Sequence, residues 1–310
     1  MTGETERMAQ VSGPGSASGL DAWGVVFLAH GSQRGADRSE CSCAWVDSGS
    51  TRPEWCLQCP STPQGLQAAA GRLQALLGLQ EHQVVLSCLE FIEPFPEQAV
   101  RLLEERGFRR VVLLPLLLGS GKHATLELEE VLEDLRAAAP GIELHLAGGL
   151  GTDSLLAELV VQRIGGMGAS SPRPPGAGRT VGVLLVKAGT KTMYDDCRWL
   201  EELGRMVEER LGPGYAVAVA QSHYGDPTME AAAERLIEER QASSLLYVPY
   251  LLFPGLILKR NVLGGMTRLQ ERYPGLPMAV TPPLGAEGQV IAVAAQRFRE
   301  LWDRTQGSGP

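Results

Sequence analysis

The chain has 310 residues, 44% hydrophobic and 21% charged, and 28 Lys and Arg against 36 Asp and Glu give it a net charge of −8. That length suits two domains, each able to bury a core of its own, and the acidic balance lacks the basic footprint with which nucleic-acid binders neutralise phosphates. No apolar run reaches the roughly 18–20 residues of a membrane span, and residues 1–22 lack the apolar centre of a signal peptide and read as a disordered tail, so a cytoplasmic monomer or homodimer with no nucleic-acid or membrane partner is expected.

The first apolar run, Val25–His30, is of strand type and is followed by Gly, Ser and polar residues. A cysteine-bearing stretch with little periodicity comes next, and Leu and Ala return at helical spacing over Gln64–Leu77. Gln83–Leu89 reads as a second strand, and Pro94 as the opener of a helix, where a missing N–H costs nothing. Arg109–Leu118 is apolar at consecutive positions, as in a strand covered on both faces. Ala124–Ala138 reads as a helix, Ile142–Ala147 as a strand and Thr152–Ile164 as a helix. A Gly-, Pro- and Ser-rich linker spans Gly165–Thr180. Alternation then restarts, with strands at Val181–Val186, Tyr215–Ala220, Ser244–Leu252 and Met278–Val280. Helices are expected at Tyr194–Leu211, Pro227–Arg240, Lys259–Arg272 and Gly288–Trp302.

The two series share a register. Pro94 and Pro227 are 133 residues apart, and Pro115 and Pro249 are 134 apart, each pair at the same point of its strand or helix. The expected fold class is α/β, with two tandem duplicated domains, each a parallel four-stranded sheet flanked by helices. The first covers 23–164 and carries a cysteine-rich insertion at 35–63; the second covers 181–306. Ligands of such sheets bind beyond the carboxyl ends of the strands, so the residues just after each strand matter most.

His30 ends the first strand, in Ala29-His30-Gly31-Ser32. Glu90 ends the second, in Leu89-Glu90-Phe91-Ile92-Glu93-Pro94, and Gly119-Ser120-Gly121-Lys122-His123 follows the third. Two of the chain's five histidines and a carboxylate thus reach one rim, and neutral imidazole is a common ligand for divalent first-row metals. Three rival motifs fail. A Walker loop needs glycine where Leu116 stands and Ser or Thr where His123 stands. Gly31 and Gly35 do not make a dinucleotide fingerprint. A histidine phosphatase needs Arg where Ala29 stands.

His-Gly-Ser after a strand, then Leu-Glu-x-x-x-Pro, then Pro-Leu-Leu-Leu-x-x-Gly-x-His resembles the class II tetrapyrrole chelatases, in particular the sirohydrochlorin cobaltochelatase and ferrochelatase group. The resemblance covers Gly24–Ile164 with motifs and Val181–Trp302 as a fainter second copy. It implies an ATP-independent lyase that inserts Co²⁺, or Fe²⁺, into sirohydrochlorin on the route to cobalamin or sirohaem. It also implies metal-ligand roles for His30 and His123, and an acidic auxiliary base at Glu90. Lys122 and Arg34 are candidates to meet the carboxylates of such a macrocycle. The second half departs from the pattern: Ala188 takes the place of His30, Ile257 that of His123, and His223 that of Glu90. His223 is therefore expected to face the substrate from the opposite wall, with Tyr224 or Lys187 as possible companions.

Cys41, Cys43, Cys56 and Cys59 form a C-x-C-x12-C-x2-C pattern in the loop after the first strand. Four thiolates at this spacing could hold a 4Fe-4S cluster or, alternatively, zinc. That insertion and the altered second half motivate a different reading, a non-catalytic metal or tetrapyrrole carrier or regulator.

Overall fold

The computed structural model describes residues 19–31, 62–90, 93–119, 122–168, 180–189, 197–255, 257–286 and 288–307; the side chains of 62–64 and 122–124 lie outside that description. In the first half the chain runs β1 (Trp23–Ala29), α1 (Thr62–Leu77), β2 (Val84–Cys88), α2 (Pro96–Glu105), β3 (Arg110–Pro115), α3 (Lys122–Ala138), β4 (Glu143–Leu146) and α4 (Ser154–Gly165). The second half runs β5 (Thr180–Lys187), α5 (Arg198–Leu211), β6 (Tyr215–Gln221), α6 (Met229–Glu238) and β7 (Ala242–Tyr250). It continues through a π-helical segment (Ile257–Leu263) into α7 (Gly264–Arg272), β8 (Met278–Val280) and α8 (Gly288–Gly307).

The strands form two four-stranded sheets, in the orders β2-β1-β3-β4 and β6-β5-β7-β8. All pairings are parallel. The central strands β1 and β5 are buried along almost their whole length, which is why their sequences are apolar without alternation. Pro115 and Pro249 fit inside interior strands because each lies past the end of its short outer neighbour: β4 pairs only up to Leu113, and β8 only up to Tyr247. The expected duplication and fold class are both present.

Three details differ from the sequence reading. Neither Pro94 nor Pro227 opens a helix; Pro96 occupies the first turn of α2, and Thr228 caps α6 through Ala231 N–H. The two earlier prolines stay tied to the strand ends, since Cys88 N–H donates to Pro94 C=O and Gln221 N–H to Pro227 C=O. Lys259–Arg272 is not one regular α-helix, because its first turns widen into the π segment.

Each sheet has an outer apolar layer of its own, Val26 to Leu144 in the first half and Leu184 to Val280 in the second. The inner faces share one continuous core, in which Trp23, Leu66, Leu73 and Val160 belong to the same cluster as Leu200, Val290, Ala294 and Phe298. The last helix, α8, lies against α1 and α4 of the first half. Trp302 meets Trp23 edge to face at 5.3 Å. Arg297 donates to the Gly149 and Leu150 carbonyls and pairs with Asp153 at 3.2 Å, and that carboxylate also caps α4. No described helix is long and apolar enough to cross a membrane.

At each sheet's carboxyl edge two backbones approach closely. A Cβ on Gly31 would lie 1.9 Å from the Glu90 carbonyl oxygen, and one on Gly189 1.4 Å from that of His223. Gly31 also has φ +97°, a conformation that L side chains rarely adopt.

Two predictions follow from packing. Gly31→Ala is expected to cost about 2 kcal/mol or more in urea unfolding, because the backbone must shift or strain; unchanged stability would contradict the close approach. Phe298→Ala should cost about 3–5 kcal/mol while both halves still unfold in one transition; two separated transitions would show that the shared core does not couple them.

Candidate functional site

The site is built on backbone pairing that continues past the strands. β1 ends at Ala29, so His30 is the first residue beyond the sheet, and it is exposed. Leu89 N–H donates to Ala29 C=O at 2.8 Å and Glu90 N–H to His30 C=O at 2.9 Å. This sets the exposed carboxylate residue Glu90 directly beside His30. β3 stays in register with β1 through Leu116 N–H donating to Leu28 C=O at 2.7 Å. The chain then passes through Leu117–Gly119 to α3, whose first two residues are Lys122 and His123. The backbone therefore brings the His30, Glu90 and His123 positions to one edge of β2-β1-β3.

The loop leading to His123 is braced from both halves. Leu150 N–H donates to Leu117 C=O at 3.2 Å, and Gly149 sits against the Leu117 and Gly119 carbonyls. From the second half, the Trp199 indole reaches the Gly119 backbone, with 3.7 Å between its ring and a Cβ built there. Thr152 Oγ1 donates to Trp199 C=O at 2.7 Å, and the indole lies 5.8 Å from the Tyr250 ring. Phe253, after β7, packs on Gly65 of α1. Residues following β3 and β4 thus meet residues following β5 and β7, so the carboxyl edges of the two sheets adjoin. Trp199 Nε1 and Tyr250 Oη are buried at this junction without a hydrogen-bond partner among the described residues. Burial, reinforced by the Asp153 charge, pushes the Tyr250 phenol well up.

The second edge keeps the close backbone approach of the first with other side chains. Ser222 N–H donates to Lys187 C=O at 2.9 Å, the counterpart of the Leu89 to Ala29 bond. Ala188 therefore stands at the His30 position and His223 at the Glu90 position, as the sequence spacing indicates. Lys187 is buried, with its ammonium donating to Ala188 C=O. His223 is half-buried; its Nδ1 lies 2.7 Å from Ser222 Oγ and its ring centroid 4.6 Å from that of Tyr224. Burial, and then the Lys187 charge, lower its basicity below the ordinary histidine value.

Of the residues singled out from sequence, His30 and Glu90 meet through the backbone, with the Lys122–His123 turn beyond the next strand, and His223 lies on the matching edge of the second sheet. Glu93 is exposed ahead of Pro94. Arg34 and the four cysteines Cys41, Cys43, Cys56 and Cys59 lie outside the described residues. Among the described residues, no group of three or more His, Cys, Asp or Glu gathers as a metal site. Sequence reasoning missed Ser222 and Trp199, whose parts depend on contacts distant from any motif. The glycine two places past each first strand was the available signal for the close approach.

The CbiX family model matches residues 45–166 and 182–301, one copy in each half. A sirohydrochlorin cobaltochelatase of Sulfurisphaera tokodaii is 27% identical over 85 residues, covering 27% of this chain and 68% of that protein. A sirohydrochlorin ferrochelatase of Priestia megaterium is 24% identical over 170 residues, covering 55% of this chain and 60% of that protein. Among solved structures, SirB from Bacillus subtilis with Fe³⁺ superposes with a TM-score of 0.66 at 17% identity, covering 92% of this chain and 98% of SirB. The likeness to SirB is one of fold. With both halves matched by the family model, the chain belongs to the CbiX family.

Proposed function

We propose that the chain inserts a divalent metal, Co²⁺ or Fe²⁺, into sirohydrochlorin without ATP, on the route to cobalamin or sirohaem. The observation that carries this reading is the Glu90 to His30 backbone bond at the sheet edge that also leads to His123. Membership of the CbiX family and the relatives' names support it.

Insertion exchanges one M²⁺ for two pyrrole N–H protons. The edge therefore has to loosen the ion's water shell, hand the ion to the ring and accept two protons. Neutral imidazoles at His30 and His123 hold such an ion by nitrogen and suit cobalt and iron alike. As the ion leaves, an imidazole lone pair becomes available for one proton. The Glu90 carboxylate accepts the other and helps to hold the charge of the ion beforehand. Lys122 and Arg34 supply cations toward the acidic side chains of the ring.

Metal insertion followed by the change in the sirohydrochlorin spectrum tests the reading. His30→Ala and His123→Ala are each expected to lower the rate by roughly 100-fold or more, and Glu90→Gln by about tenfold, in line with loss of a positioned base. Wild-type chain that inserts neither Co²⁺ nor Fe²⁺, or histidine variants that match it, would overturn the proposal.

A further inference from the structure

The chain leaves β3 through Leu117–Gly119 on its way to α3, and this stretch is held from both halves. Leu116 N–H donates to Leu28 C=O at 2.7 Å, which ties the start of the stretch to β1. Leu150 N–H donates to Leu117 C=O at 3.2 Å, and Gly149 lies against the Leu117 and Gly119 carbonyls. That ties its middle to the chain after β4. At Gly119 the neighbour comes from the second half: the indole of Trp199 lies 3.7 Å from a Cβ built there.

Trp199 is itself fixed. It is the second residue of α5, whose entry at Cys197 has φ +55°, a left-handed conformation uncommon for a residue with a side chain. Such a conformation persists where the surroundings over-determine it. Here Cys197 is buried, and its C=O accepts from both Leu200 N–H and Glu201 N–H. Thr152 Oγ1 donates to Trp199 C=O at 2.7 Å. Thr152 directly precedes Asp153, the carboxylate that caps α4 and pairs with Arg297 of α8. The Tyr250 ring, at the end of β7, stands beside the indole with 5.8 Å between centroids. The indole Nε1 makes no hydrogen bond to a described residue, so the side chain meets the loop through its ring. A strained and anchored turn thus holds a rigid ring against backbone three residues ahead of α3.

We propose that Trp199 is a positioning residue of the metal edge, contributed by the second half: it fixes the loop after β3 and, through that loop, the reach of His123 toward an ion shared with His30. This deepens the proposed function, from which it takes His123 as a ligand. A ligand nitrogen binds well only within a few tenths of an ångström of its proper distance, so a loop free to drift weakens the site without removing a donor. The duplicated half then tunes the metal affinity of the first edge by packing.

The test is equilibrium binding of Co²⁺ to the full chain, taken as the part of the binding that His30→Ala removes. Trp199→Ala is expected to weaken it about tenfold, the usual scale for losing a group that orients a ligand. Trp199→Phe keeps a ring against the loop and is expected to stay within roughly threefold of wild type, because the lost N–H has no partner among the described residues. Leu236→Ala opens the separate outer layer of the second sheet and is expected to leave the affinity within about twofold, which a site that merely followed overall stability would not do. Should Trp199→Ala fail to fold, Thr152→Val takes its place; it keeps the side-chain shape, removes the bond to Trp199 C=O and is expected to weaken binding about threefold. Unchanged affinity in Trp199→Ala, or in Thr152→Val where that variant stands in, would overturn the assignment. An equal loss in Leu236→Ala, or no recovery in Trp199→Phe, would overturn it as well. Wild-type chain that binds Co²⁺ but inserts no metal removes the proposed function, with these affinities still deciding the role of Trp199. Wild-type chain with no Co²⁺ binding that depends on His30 overturns both.

Discussion

Where the first two strands of each half run out, two stretches of backbone pass closer than any side chain would permit. In the first half, Gly31 lies under the Glu90 carbonyl while Glu90 N–H donates to His30 C=O. That arrangement leaves His30 and Glu90 little choice about their relative position, because it is set by peptide groups and not by side-chain packing. The third motif inherits the same frame, since β3 pairs with β1 through its last residue and delivers α3 at the same edge. A chemistry that needs a nitrogen ligand and a proton acceptor within reach of one ion gains its geometry from this pairing. The second half preserves the close approach at Gly189, so one backbone device carries two different sets of side chains.

The rest of the molecule keeps these edges in place. The inner faces of the two sheets share a single apolar core, and α8, the last helix of the second half, packs on the first. Arg297 binds two carbonyls and the capping carboxylate of Asp153 just where the chain leaves β4. Trp199 extends this bracing to Gly119, three residues ahead of α3. The second half therefore acts on the first edge mechanically while presenting an edge of its own. The halves are duplicated in sequence but joined in packing.

Much of this was legible in the sequence. Unbroken apolar runs at Val25–Leu28 and Val111–Leu114 marked central strands, and the repeated proline spacing exposed the duplication. Placing His30 and Glu90 just past the ends of β1 and β2 required only the rule that ligands gather at the carboxyl edge of a parallel sheet, whereas His123 stands on α3. Helix starts were less legible, because Pro94 and Pro227 resemble first-turn prolines yet have their carbonyls bonded back to β2 and β6. The widened turns at Ile257–Leu263 carry no periodic signature distinct from an α-helix. Ser222 was hidden because its contacts with Gly189 N–H and the His223 ring belong to the hydrogen-bond network and not to residue order.

The central claim is that the first edge, through the side chains of His30 and His123, is where the metal resides before transfer. A crystal of the full chain loaded with Co²⁺ and measured at the cobalt absorption edge tests this most directly. The account predicts an anomalous peak about 2 Å from an imidazole nitrogen of each of the two histidines, the usual length of a metal–nitrogen bond. A peak beside His223, or among the cysteines between Cys41 and Cys59, with none at His30, would contradict it.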